Sequence, residues 1–191
     1  MTKYKPYVEI ECADLGVISD KIYDFVNTKT QLLQDGATGW QFLDSKQLMT
    51  HVPELFKFFI SHKLALRDSA VVILTETGQL PLHMDPMPVI AKINLPVANT
   101  KGWTNYWYDM SDEQYAQLPT YTTQFGHTTE LLKDVNPADL ELVAEIHDLN
   151  KVIAFNSRLP HTVVKREDTN LPRIIASFTF KNEPLHLLEY K

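Results

Sequence analysis

The tripeptide His83-Met84-Asp85 combines two metal-binding residue types at a spacing that lets them share one ion. His83 is the only one of the seven histidines that has an acidic residue two positions later. Residues two apart in an extended strand point to the same side, so both side chains face one metal. A third ligand has to come from further along the chain. The downstream candidates are His127, His147 and His161.

Arg173 makes His161 the preferred third ligand, because this histidine begins a β-rich run and the arginine lies twelve residues beyond it. In residues 173–180 the even-numbered positions are all apolar, so Arg173 faces the opposite side of the strand, into the sheet interior. A buried guanidinium needs an anion, and its planar fork suits a carboxylate. Two histidines and one carboxylate leave three positions of an octahedral Fe(II) ion open, which suits a chelating dicarboxylate and oxygen.

The set formed by His83-x-Asp85, His161 and Arg173 resembles the Fe(II)- and 2-oxoglutarate-dependent oxygenase superfamily. The resemblance extends over residues 70–180, and the segments 92–96, 103–108 and 154–161 look like compact phage-type and aspartyl/prolyl-hydroxylase-like members. It implies a mainly β protein with flanking N-terminal helices, folded as a double-stranded β-helix, which is a cupin-like jelly roll. It also implies that the two histidines and Asp85 bind Fe(II) as the catalytic centre, and that Arg173 holds the distal carboxylate of 2-oxoglutarate.

One position departs from the pattern of many members, which carry Ser or Thr two residues after the arginine. This chain has Ile175 there, and Ser177 lies about 13 Å further along the strand at about 3.3 Å per residue. The second partner of the carboxylate must therefore come from elsewhere. The candidates are Asn94 and Tyr106, together with Lys92 and Thr104.

The resemblance implies a dioxygenase that uses O2 to hydroxylate a C–H bond and releases succinate and CO2. The 18 basic residues against 24 acidic ones, a net charge of −6, argue against a nucleic-acid substrate, so we expect a small molecule such as an amino acid, or a peptide or protein side chain. The presence of Asp85 argues against halogenation, because the halogenating relatives have a small residue at that position. Two alternatives stay open: a zinc or iron cupin without 2-oxoglutarate, and a non-catalytic jelly-roll module such as a viral accessory protein.

The elements that position these residues follow from the hydrophobic pattern. The first third predicts two amphipathic helices, one with Ser19 as its N-cap and Ile22 to Leu33 along it, the other starting near Pro53 and continuing to Leu66. From Ala70 onward, short β-rich runs alternate with turn residues, which favours an eight-stranded double-sheet jelly roll. The predicted strands are Val71–Thr77, Val89–Leu95, Trp103–Tyr108, Tyr121–Phe125, Leu142–Ile146, Val152–Asn156, His161–Val164 and Arg173–Phe180.

The length of 191 residues predicts a single oxygenase domain over 1–191, with N-terminal helical support over 1–69 and the jelly-roll core over 70–180. Cys12 is the only cysteine, and the first residues lack the apolar run of a signal peptide. We therefore expect a cytoplasmic protein without a membrane span. The acidic segment between Met110 and Pro137 is a candidate lid over the cleft.

Overall fold

The computed structural model describes residues 4–75, 80–86, 88–122, 128–130, 132, 134–166 and 169–190. Twelve strands lie in these ranges: β1 Tyr7–Ile10, β2 Gly39–Leu43, β3 Leu66–Leu74, β4 Leu80–His83, β5 Ala91–Ala98, β6 Trp103–Asp109, β7 Thr120–Thr122, β8 Thr128–Glu130, β9 Glu141–His147, β10 Val152–Asn156, β11 His161–Lys165 and β12 Arg173–Phe180. The α-helices are α1 Leu15–Asp24, α2 Ser45–His51, α3 Pro53–Ser61, α4 Asp112–Ala116 and α5 Leu185–Leu188. A π-helical turn, Phe25–Lys29, extends α1, and Pro137–Asp139 forms a 3₁₀ turn.

The strands form two facing antiparallel sheets and a small hairpin. The large sheet has the order β1-β10-β5-β12-β3-β2, and the small sheet has the order β4-β11-β6-β9. Strands β7 and β8 pair separately. Apart from β2 and β3, neighbouring strands in both sheets are not consecutive in the sequence, as in a jelly roll, and the fold is the expected double-stranded β-helix with helices beside it.

Strand β12 shows how the alternation of the sequence builds two cores. Ile174, Ala176, Phe178 and Phe180 face the helices, where Phe59 of α3 meets the last two rings edge-on at centroid distances of 5.0 Å. Ile175 faces the other way and packs between the two sheets. Arg173 and Ser177 share its side of the strand, so the expected inward orientation of the arginine is confirmed.

The helix predictions are partly confirmed. Helix α3 begins at Pro53 as predicted, but Leu66 is the first residue of β3. The prediction of Ser19 as an N-cap is wrong, because α1 begins four residues earlier at Leu15 and the Ser19 hydroxyl donates to the Pro96 carbonyl at 2.7 Å. None of the helices in the described ranges combines the length and the apolar character that crossing a bilayer requires.

The strand predictions are confirmed for β10 and β12 with unchanged bounds, while β5 is shifted towards its C-terminal end. Four observed strands were not predicted, namely β1, β2, β4 and β8. Two of them, β1 and β2, come from the first third of the chain and join the large sheet. Parts of the predicted strands 71–77 and 121–125 lie outside the described residues. Within the expected lid the structure describes α4, β7 and β8, and its closure over the cleft stays a prediction.

Candidate active site

Two histidines from neighbouring strands lie side by side. His83 ends β4 and His161 begins β11, and the antiparallel register pairs them directly, with ring centroids 4.2 Å apart. The Nδ1 atom of His83 is 2.8 Å from the carbonyl oxygen of Pro81, and that of His161 is 2.8 Å from the carbonyl oxygen of Leu159. Because a carbonyl oxygen only accepts, Nδ1 carries the proton in each neutral ring and Nε2 is left with its lone pair.

Burial keeps both imidazoles in the neutral, metal-binding form. Burial lowers the pKa of His83, and burial together with the nearby His83 lowers the pKa of His161 to about 3. The buried Nε2 of His83 has no hydrogen-bond partner within the part of the chain that the structure describes. The pair therefore offers a nitrogen donor that is prepared for a cation.

Asp85 lies two residues beyond His83, in a buried ion pair. Its backbone N–H donates to the Ser157 carbonyl at 3.0 Å, which anchors the loop. Its Oδ1 accepts from Lys92 Nζ at 2.5 Å, while its buried Oδ2 has no partner among the described residues. Burial on its own would raise the pKa of Asp85, but the Lys92 ammonium and the two imidazoles outweigh burial and lower that pKa. The carboxylate is therefore ionised at neutral pH.

These side chains fit a metal in their chemistry but do not form a closed ligand group. Over the described ranges, no three side chains of His, Cys, Asp or Glu converge tightly enough to hold an ion. The two imidazoles are paired, whereas the Asp85 carboxylate is bonded to Lys92. The donor set of two neutral imidazoles and one carboxylate suits Fe(II), and one oxygen and one nitrogen of that set lack partners.

Arg173 is fully buried at the start of β12. Its Nη2 donates to Asn105 Oδ1 at 3.2 Å, and its guanidinium carbon lies 5.6 Å from the centroid of the Trp103 ring. Its Nε and Nη1 are buried without partners in the described ranges. Burial lowers the pKa of Arg173 to about 10, with no contribution from any described carboxylate, so the group is charged at neutral pH. Two donors of a buried cation are thus left for an anion.

A cavity with an empty volume of about 380 Å³, counted to its mouth, lies between the sheets next to these groups. Both histidines and the predicted Asn94 line it, and Ser177 is the cross-strand neighbour of Asn94. The lining residues are Trp40, Val72, Leu80, His83, Asn94, Asn105, Trp107, Phe155, His161, Thr162, Val163 and Ile175.

The structure places Tyr106 outside this cavity, contrary to its predicted role beside 2-oxoglutarate. Strand alternation turns Asn105 towards Arg173 and Tyr106 to the opposite face, where its ring centroid lies 6.4 Å from that of Tyr108. Thr104 shares that outer face, and its hydroxyl is 2.9 Å from Nδ1 of His147. Asn105 lines the cavity instead of Tyr106. The buried tryptophans on either side of Asn105 at positions 103 and 107 are the signal that could have identified it.

Of the two other downstream candidates, His147 lies in the described structure and does not compete with His161. His147 faces outward on β9, where its Nε2 lies 3.3 Å from Oε1 of Glu145. His127 lies outside the described residues.

The comparisons with known proteins concern the fold. No family model and no curated protein matches the chain. Among solved structures, it is similar to the non-haem α-ketoglutarate-dependent carbocyclase SnoK from nogalamycin biosynthesis, at 11% identity and a TM-score of 0.54, over 92% of this chain and 79% of that one. The non-haem monooxygenase ThoJ matches at 12% identity and a TM-score of 0.54, over 92% and 74%.

A third similar structure is HygX from Streptomyces hygroscopicus, solved with nickel and 2-oxoglutarate bound. It matches at 11% identity and a TM-score of 0.52, over 92% of this chain and 82% of that one. At such identities the likeness establishes the fold alone. The chain therefore shares its fold with these three proteins.

Proposed function

We propose that this protein is an Fe(II)- and 2-oxoglutarate-dependent dioxygenase that hydroxylates a C–H bond of an amino acid or of a peptide or protein side chain. Succinate and CO2 are its by-products. His83, Asp85 and His161 hold Fe(II), and Arg173 holds the distal carboxylate of 2-oxoglutarate. The observation that carries the proposal is the fully buried Arg173 guanidinium with two unpartnered donors, next to a cavity lined by two neutral imidazoles.

The charge of Arg173 is the reason to expect an organic anion. A buried cation is costly unless an opposite charge and hydrogen bonds compensate it, and Asn105 supplies a single acceptor. A carboxylate placed beside Nε and Nη1 would supply the missing charge and accept from both atoms. Asn105 also has a buried Nδ2 without a partner in the described ranges, and this amide could donate to the same carboxylate.

The distance between the two ends of the site suits a five-carbon diacid. In β6, Trp107 is the register partner of His161, and Asn105, which contacts Arg173, lies two residues away. Two residues of strand span about 7 Å. The terminal carboxyl carbons of 2-oxoglutarate, four bonds apart, are separated by about 5 Å. One carboxylate on Arg173 therefore leaves the other close to the histidine end.

When bound, Fe(II) supplies the activation of O2 and the oxidation of the C–H bond. The residues of the chain bind and orient its partners. Arg173 and Asn105 fix the dicarboxylate, and the apolar lining, including Val72, Phe155 and Ile175, excludes water from it. The negative net charge of −6 favours an amino acid or a peptide over a nucleic acid as substrate. Kinship with compact phage-type or aspartyl/prolyl-hydroxylase-like members is part of this proposal.

A screen of amino acids and peptides with Fe(II), ascorbate and 2-oxoglutarate, scored by succinate release, tests the function. We expect at least one compound to raise succinate release above the uncoupled background, and Arg173→Met to raise the 2-oxoglutarate concentration needed. Arg67→Met, which removes an arginine paired with Asp68 on the surface, is the matched control. An unchanged 2-oxoglutarate requirement in Arg173→Met contradicts the role given to Arg173.

The Asp85–Lys92 ion pair favours a second candidate, a non-catalytic jelly-roll binding module. In such a protein the carboxylate would serve the fold through Lys92, and no metal would bind. Metal binding that depends on His83 and His161 separates the two candidates.

A further inference from the structure

We propose that Lys92 controls metal binding at this site: its ammonium competes with the divalent cation for the Asp85 carboxylate, so that metal and dicarboxylate strengthen each other's binding. This inference rests on the proposed function, because it concerns the same three ligands. Lys92 is not one of the residues His83, Asp85, His161 and Arg173 that define the proposed site, and the inference gives it a role there.

The ion pair occupies the one ligand that carries charge. Lys92 Nζ lies 2.5 Å from Asp85 Oδ1, and the two side chains are only 7% and 5% exposed. A pair so little exposed is weakly screened by water and salt. A metal that takes Asp85 as its third ligand must bind Oδ2 and share the carboxylate with Lys92, or displace Lys92 from it.

Lys92 has a second partner within reach when it leaves Asp85. Its Nζ lies 4.4 Å from the centroid of the Trp40 ring, a distance at which a cation is attracted to an aromatic face. Trp40 lines the cavity that holds the two histidines. The ammonium can therefore swing towards the ring and remain beside the cavity.

The charges explain the link to the dicarboxylate. Asp85 and Lys92 together are formally neutral, so a divalent cation adds its whole charge to a buried site that already contains a cation. A dianionic 2-oxoglutarate offsets the charge of the metal and leaves only the positive charge of Arg173. Without Lys92, the carboxylate neutralises half of the metal charge directly, and the metal gains less from the dianion. Lys92 therefore weakens binding of the metal alone and increases the coupling between the two ligands.

A purely structural role of Lys92 predicts the opposite. If the ion pair serves to hold Asp85 in the orientation that the metal needs, removing the ammonium weakens metal binding. The sign of the change in metal affinity therefore separates the two roles.

The experiment is an anaerobic calorimetric titration with Co(II) at one fixed pH, with and without 2-oxoglutarate. The variants are Lys92→Gln, which keeps a hydrogen-bond donor for Asp85, and Lys92→Met, which keeps the length of the side chain. Lys151→Gln removes a lysine from an exposed pair with Glu9 and controls for net charge. His161→Ala tests whether the bound metal is at this site.

We expect Lys92→Gln to bind Co(II) at least about tenfold more tightly than the wild type, because it removes the repulsion between an ammonium and a divalent cation at close range. Lys151→Gln should match the wild type. We expect 2-oxoglutarate to tighten Co(II) binding more in the wild type than in Lys92→Gln. Lys92→Met leaves the buried Asp85 charge unpaired, and this variant could fail to fold. The comparison between the wild type and Lys92→Gln would still test the inference.

Three results overturn the inference, and they differ in what they mean for the function. If both Lys92 variants bind Co(II) as tightly as the wild type or more weakly, Lys92 does not have the proposed role. If His161→Ala also fails to bind Co(II), the metal site itself remains supported. If 2-oxoglutarate does not change the Co(II) affinity of the wild type, the proposed coupling between metal and dicarboxylate is contradicted. Absence of Co(II) binding in the wild type and in every variant removes the proposed function as well.

Discussion

Replacement of the buried Arg173 by Met should cost the metal-free protein little stability and yet weaken its response to 2-oxoglutarate. Met has a similar length and no charge, so it fills the space without the guanidinium. For most buried charged groups that are paired inside a protein, removing one partner costs about 3–5 kcal/mol. Arg173 differs because no described carboxylate compensates it.

The magnitude follows from the cost of burying the charge and from the contacts that the variant loses. Burial lowers the pKa of Arg173 from 12.5 to about 10. At about 1.4 kcal/mol per pKa unit, the charge costs the folded state about 3 kcal/mol. The lost hydrogen bond to Asn105 is worth about 2 kcal/mol and the contact with Trp103 about 1 kcal/mol. The net change in the free energy of unfolding should therefore stay within about 1 kcal/mol, or about 2–4 °C in Tm.

Thermal unfolding with Mn(II), with and without 2-oxoglutarate, measures both effects. In the wild type, 2-oxoglutarate at a hundred times its Kd should add about 2.7 kcal/mol of stability, whereas Arg173→Met should gain much less at the same concentration because its Kd is higher. The control Arg67→Met should respond like the wild type. A loss of about 3 kcal/mol or more in metal-free Arg173→Met would show that the guanidinium already has an internal counter-charge, and a retained 2-oxoglutarate response would refute its role as the clamp.

Three further changes test the site and the packing around it. The metal-free protein should lose stability as the pH falls from 6.5 towards 3. The reason is that the unfolded chain protonates His161 at the ordinary pKa of 6.5, whereas the pKa in the folded protein is about 3. In a chemical-denaturation series over this pH range, His161→Gln should flatten the loss of stability. Phe59→Ala should cost about 3–5 kcal/mol in urea unfolding, because the ring is buried against Phe178 and Phe180; a loss below about 1 kcal/mol would contradict this packing. Ser19→Ala should cost about 1 kcal/mol without shortening α1, since its hydroxyl bonds a carbonyl of β5; loss of helical circular dichroism would instead support a capping role.

The parts of the fold that were predictable are those in which one strand face is wholly apolar. Strand β12 alternates without exception, and its bounds follow from the sequence. Strands β1 and β2 lack such a signal because they are short edge strands of the large sheet, and Phe42 of β2 is largely exposed. Ser19 was misassigned because its hydroxyl has a tertiary partner, which no local pattern reveals.

At the site, strand alternation predicted the inward arginine, while the sharing of one ion by His83 and Asp85 stays a prediction. The contacts between elements were not predictable. Asn105 meets Arg173 because β6 of the small sheet faces β12 of the large one. Lys92 meets Asp85 because the loop after β4 lies against β5. Both contacts depend on how strands from different sheets are aligned, and the sequence of one strand does not contain that information.

The most direct test of the central claim is an anaerobic absorbance titration in which 2-oxoglutarate is added to the Fe(II)-loaded protein. We expect a visible charge-transfer band that requires both the metal and 2-oxoglutarate. The band should be lost in His161→Ala, and it should need a higher 2-oxoglutarate concentration in Arg173→Met. A solution that stays colourless when wild-type protein, Fe(II) and 2-oxoglutarate are all present would contradict the central claim.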